Sequence, residues 1–148
     1  NWKQAKNLFQ KLLLVTGAFG IIVTILVLIT ADLLVSIIFG EAYFETTQIV
    51  RVLFLSVPFL FMGVICLFYS NAQHIERKAM WVLVAGVLGN IILNIFGIYY
   101  FGIVGPAWAT VISQTFITVS LIYLNFHHLQ VGKNRAELKA MPMLLLEE

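Results

Sequence analysis

Four long apolar runs, at residues 8–30, 47–71, 79–101 and 106–126, occupy most of a chain of 148 residues. Each has close to the ~20 residues that a helix needs to cross the hydrocarbon core of a bilayer. A segment in lipid must satisfy all its backbone groups internally, which leaves helices and closed barrels, and these runs lack the two-residue alternation of barrel strands. The sequence therefore predicts an all-α fold: a polytopic membrane helix bundle with four transmembrane helices. Hydrophobic residues make up 61% of the chain and charged residues 11%; soluble domains have about 45–50% and about 25%. The first run is too long for the roughly 7–15 apolar residues of a signal peptide, and no A-x-A site follows it, so it reads as a retained span.

The charges assign a direction. Lys3, Lys6 and Lys11 precede the first run, Arg77 and Lys78 lie between the second and third, and Lys133, Arg135 and Lys139 follow the fourth. Eight of the nine Lys and Arg thus fall on alternate sides, which by the positive-inside rule puts both termini and the 73–78 loop in the cytoplasm. Cations sorted by membrane side do not form the basic face that nucleic acid requires, so no nucleic-acid partner is expected. Membrane lipid is the expected surrounding. The organisation reads as a four-helix transmembrane segment at 1–126 and a cytoplasmic tail at 127–148, whose short "MPMLLL" cannot span. The chain opens without Met on a charged amphipathic segment, "NWKQAKNLFQK", which reads as the interior of a longer protein.

Several residues have local structural readings. Between the first two spans, residues 33–39 read as a short interfacial helix stopped by Gly40, which accepts φ > 0. Pro58 removes a backbone bond inside the second span and predicts a kink. Gly102 and Gly105 allow a tight turn between the third and fourth spans, and Pro106 suits the start of a helix, where no donor is missed.

The polar residues within the spans are the candidates for function. Asn90 and Asn94 lie one turn apart and share a face with Gly86 and Gly97; Thr110, Ser113, Gln114 and Thr118 form a second stripe at helical spacing. The stripes either pack helices together or line a cavity. Asn90, Asn94 and Gln114 are the candidate contacts for a polar substrate. Arg51 lies one turn into the second span, where a guanidinium needs compensation. It can snorkel to the surface, pair with Glu41 or Glu45, or hold an anionic substrate group such as a phosphate. Asp32, at the end of the first span, reads as a solvated interfacial carboxylate.

Chemistry of other kinds is not expected. Cys66 is the only cysteine, so no disulfide or cysteine-based metal site can form within the chain. His127 and His128 are adjacent and cannot share a helix face as ligands. No nucleophile–base set, paired buried carboxylates or phosphate-cradling loop occurs, so neither an enzyme, a cofactor nor a bound metal is expected.

The order "IIFGEAYFETTQIVRVL", then "YSNAQHIERKAM", then "GNIILNIFGIYYFGIVGPAWATVIS" resembles the C-terminal half of polysaccharide biosynthesis flippases of the O-antigen type, in the multidrug/oligosaccharidyl-lipid/polysaccharide exporter superfamily. The similarity runs over residues 33–114. Its most specific element is the Asn-x-x-x-Asn helix followed by a small-residue turn and helix, here Asn90, Asn94, Gly102, Gly105, Pro106, Ala107, Ala109 and Thr110. The Pro that often precedes this turn is replaced by Tyr99 and Tyr100. The resemblance implies part of the C-terminal lobe of a twelve-to-fourteen-helix transporter of a bacterial inner membrane. Its cargo would be an undecaprenyl-pyrophosphate-linked oligosaccharide, and its partner the missing N-terminal lobe of the same protein. A multidrug or lipid II exporter of the same superfamily and a small four-helix oligomeric membrane protein are the competing expectations.

Overall fold

A computed structural model of the chain describes residues 2–40 and 46–144, with side chains over 3–38, 40 and 46–132. The described chain is helical: α1 (Trp2–Phe39), α2 (Thr46–Phe54), α3 (Val57–Ala72), α4 (Glu76–Phe101), a 3-10 turn (Gly102–Val104) and α5 (Gly105–Leu144). Three stretches, Lys3–Ile38, Thr46–Ala72 and Glu76–Gly132, are long and apolar enough to cross a membrane. The last is a hairpin, because Asn90 meets Ser113 and Gly97 meets Gly105 on opposite arms. Large apolar side chains face outward along every helix, including Ile29, Phe68, Ile95 and Tyr123. Such a surface is compatible with a membrane-embedded chain.

One expected boundary moves. The separate interfacial helix at 33–39 does not form, and α1 instead runs unbroken through Asp32 to Phe39. No Gly or Pro interrupts this part of the sequence, and nothing local opposes continuation of the ladder. Gly40 then ends the helix as its composition requires, with φ +84° and its amide donating to Ser36 O at 3.1 Å. At the other end, α5 continues past residue 126, so the helix crosses the boundary expected between span and tail.

Pro58 breaks the second span into α2 and α3, joined through Leu55 and Ser56. The proline has no N–H for the carbonyl four residues back, that of Phe54. Thr24 of α1 fills the vacancy: its one hydroxyl proton is shared between Phe54 O and Gly20 O, each 2.9 Å away. The helices come close because Gly20 lies against Pro58; a Cβ at Gly20 would stand 2.6 Å from Pro58 Cα. Gly17 meets Met62 and Phe19 meets Phe61 along the same seam, so α1 and α3 run antiparallel.

The bundle is not packed in chain order. α4 packs mainly on α5, α5 packs on α3, and α3 packs on α1, while the consecutive helices α3 and α4 touch little. Contacts from Phe59 to Thr118 and from Ser70 to Asn125 make α3 and α5 parallel. At the end of the bundle that holds the start of α1, here termed basal, Phe9 is fully buried. It stacks on Tyr69 at 4.3 Å and meets Phe126 edge-on at 5.4 Å, tying α1, α3 and α5 together. The α3–α4 connection closes the same end. His74 takes φ +57°, its amide donates to Asn71 O, the Ile75 amide reaches back to Ser70 O, and the Ile75 side chain is buried. This is the Schellman arrangement with histidine in the position usually held by glycine.

Thr24→Val keeps the shape of the side chain and removes the hydroxyl, leaving Phe54 O unpaired in an apolar seam. The expected loss of stability in detergent is about 1 kcal/mol. In a Pro58→Ala background the amide at position 58 serves Phe54 O, and the effect of Thr24→Val should shrink to near zero. A double-mutant cycle of unfolding measurements checks this; an equal loss in both backgrounds would contradict the account.

Candidate functional site

Two polar arrangements contain the candidate residues. The first lies at the end of the bundle opposite Phe9, termed distal. Arg51, in the last turn of α2, donates from Nη2 to Asp32 Oδ2 of α1 at 2.8 Å. The side chains are 42% and 48% exposed, so the pair is worth less than about 1 kcal/mol and pins the guanidinium through a single contact. Asp32 is thus the described partner of Arg51, not an isolated solvated carboxylate; Glu41 and Glu45 lie outside the described residues. One turn before Arg51, Thr47 is buried, and its Oγ1 has no hydrogen-bond partner among the described residues.

The second arrangement is the seam of the α4–α5 hairpin. Asn94 Nδ2 donates to Asn90 O at 2.9 Å and to Asn90 Oδ1 at 2.8 Å. Asn90 Nδ2 donates to Ser113 Oγ at 2.8 Å, and Ser113 Oγ donates to Thr110 O at 3.1 Å. Thr110 in turn donates to Pro106 O at 2.9 Å. The bonds run down α4 from Asn94 to Asn90, cross to Ser113, and return along α5 toward its start. They can form because small residues flank them. Gly86 sits under Ile117, and Gly97 crosses Gly105 backbone to backbone, where a Cβ at Gly97 would stand 2.9 Å from Gly105 C. Gly102 turns the chain with φ +60°. The two stripes expected from spacing therefore meet through Asn90 and Ser113.

Gln114 and Thr118 face elsewhere. Thr118 donates to Phe59 O of α3 at 2.7 Å, and a Cβ at Gly63 would lie 3.0 Å from Thr118 Oγ1 and 3.4 Å from Gln114 Nε2. Gln114 is thus on the α3 side of α5 and does not join Asn90 and Asn94. Helix α5 carries polar groups on two faces, one for each neighbour.

Asn125 is a polar centre that the expected set omits. It is fully buried. The two N–H groups of its Nδ2 are shared among Leu121 O at 2.9 Å, Ser70 Oγ at 3.0 Å and Cys66 O at 3.2 Å. Its Oδ1 accepts from Ser70 Oγ at 3.2 Å and Gln73 Nε2 at 3.3 Å. His128 Nδ1 donates to Gln73 Oε1 at 2.8 Å, which extends the network to the basal rim. The available signal was positional: Thr118, Leu121, Asn125 and His128 follow each other at steps of three or four, the continuation of the α3-facing stripe across one leucine.

Chemically, these groups are hydrogen-bonding amides and hydroxyls with one half-exposed guanidinium. They suit recognition of hydroxylated or anionic groups and helix pairing. Among the described residues no group of three His, Cys, Asp or Glu is placed to hold a metal ion. No protein-family model matches the chain, and neither does any curated protein or solved structure.

Replacing Asn125 with Leu, which branches in the same way, deprives Ser70 and Gln73 of a buried partner and should cost about 1–2 kcal/mol in unfolding measurements in detergent. Asp32→Asn at the half-exposed distal pair should cost less than about 1 kcal/mol. The reverse ranking would show the distal pair, not the basal network, to be the stronger tie.

Proposed function

We propose that this chain is part of the C-terminal lobe of a polysaccharide flippase, crossing a bacterial inner membrane four times with both termini in the cytoplasm. The transported molecule would be an undecaprenyl-pyrophosphate-linked oligosaccharide, moved by alternating access and without covalent chemistry. In this reading the two lobes rock about a central cavity. Amides such as Asn90 and Asn94 exchange hydrogen bonds with sugar hydroxyls, and Arg51 meets the pyrophosphate.

The observation that carries the reading is Arg51. A guanidinium has five N–H donors, and the described contact to Asp32 uses one nitrogen. The remainder of the fork stays accessible at 42% side-chain exposure, in the orientation-tolerant state that a phosphate ligand can capture bidentately. Asp32 acts as a placeholder that holds the cation in position in the absence of the anion.

Four crossings are supported by the spacing of interfacial residues. On α4, Trp81 and Tyr99 are exposed and separated by roughly 27 Å of helix, close to the ~30 Å of a bilayer core. Lys11 and Asp32 bracket roughly 31 Å of α1 in the same way, and Trp108 and His127 about 28 Å of α5. On each of these three helices the spacing is close to the thickness of one bilayer core, which supports the reading.

In the complete protein, Arg51→Ala should lower glycan export by about tenfold, the worth of one charge-assisted hydrogen bond, at unchanged protein level. Unchanged export would remove Arg51 from the substrate path. Topology is checked separately: in a Cys66→Ala background, a cysteine at His74 should react with a membrane-impermeant maleimide only from the cytoplasmic side, and one at Gly102 only from the opposite side.

A further inference from the structure

The α3–α4 pair has a feature that the flippase reading does not use. Because α5 inserts between them, these consecutive helices splay, leaving an open groove of about 460 Å³ between them near the basal end. That volume falls in the range of roughly 300–1,000 Å³ typical of small-molecule sites. Its walls are graded along the helix axis. Leu67 and Leu83 lie deepest, Ala79 and Met80 lie between, and Asn71, Glu76 and Arg77 line the rim beside the α3–α4 connection. The gradient from apolar depth to charged rim covers about 10 Å, the rise of α4 from Glu76 to Leu83.

The rim carries both signs of charge. It presents one carboxylate, one guanidinium and one carboxamide, all on exposed residues. This set is electrically balanced, although Lys3, Lys6, Lys11 and Lys78 make the surrounding basal end cationic. A guanidinium binds a phosphate diester, and a carboxylate with an amide oxygen accepts N–H bonds from a primary ammonium. A quaternary ammonium has no N–H to give, and an uncharged glycerol headgroup leaves the carboxylate without a cation.

We propose that this groove is a binding site for a phospholipid with an ethanolamine headgroup: its phosphate at Arg77, its ammonium at Glu76 and Asn71, and one acyl chain along Ala79, Met80 and Leu83. The site depends only on membrane insertion and is independent of the transport reading.

The test is native mass spectrometry of the full chain in detergent micelles doped with equal amounts of phosphatidylethanolamine, phosphatidylglycerol and phosphatidylcholine of matched acyl chains. The ethanolamine lipid should be retained about fivefold over each of the others, the scale of one charge contact at the membrane surface. Glu76→Gln should bring the ethanolamine and choline lipids to parity, and Arg77→Gln should lower retention of all three. Met80→Trp, at an exposed position that tolerates bulk, should fill the groove and abolish selective retention. Circular dichroism of each variant verifies that the helices persist. A preference for phosphatidylglycerol, or a selectivity indifferent to Glu76→Gln and Met80→Trp in folded protein, would overturn the proposal and leave ordinary annular lipid at this face.

Discussion

A carbonyl without an amide governs how the first half of this chain packs. Within an apolar medium a backbone oxygen has no water to replace a missing partner, and Pro58 leaves one at Phe54. The solution comes from another helix: Thr24 supplies the hydroxyl, and Gly20, one turn earlier, lets α1 approach near enough to deliver it. This bond and the close contact of Gly20 with Pro58 fix the register of α1 on α3, and α1 continues unbroken from the seam to Asp32, opposite Arg51. A proline that weakens one helix thereby specifies the placement of another.

In the second half, α5 has the organising role. One face meets α4 through Gly105, Ser113 and Ile117; another meets α3 through Thr118 and Asn125. Hydrophobicity cannot distinguish these faces from the lipid-facing ones, since lipid is as apolar as leucine, so small residues and hydrogen bonds must do so. The observed bonds are spread along the whole helix, from Thr110 near its start to His128 near the basal rim. Stability is therefore distributed among many modest contacts, with Asn125 as the densest node.

Features that depend on a single residue were legible in the sequence. Gly40 ends a helix, Pro58 breaks one and Gly102 turns the chain, because each follows from what one residue's backbone permits. The meeting of Asn90 with Ser113 was legible as well, since a tight turn dictates which positions of a hairpin face each other. Features that depend on which helices become neighbours were not. Asp32 finds Arg51 across 19 residues, and Asn125 finds Ser70 across 55. The second pairing requires α5 to pass between α3 and α4, an arrangement that chain order does not suggest. Gln114 illustrates the same limit: the stripe expected from spacing divides between two partners, and Gln114 went with Thr118 toward α3 rather than with Ser113 toward α4.

The crossing of Gly97 and Gly105 has a mechanical meaning. Most helix pairs are separated by a layer of side chains that can deform by changing rotamer, which gives the interface some compliance. Here the backbones themselves touch, and main-chain atoms have no rotamers to yield. Travel of α4 along α5 is obstructed at that point. The hairpin is therefore stiffest at its distal end, and toward the basal end, where Ile117 covers Gly86, the same two arms meet through a side chain that can yield.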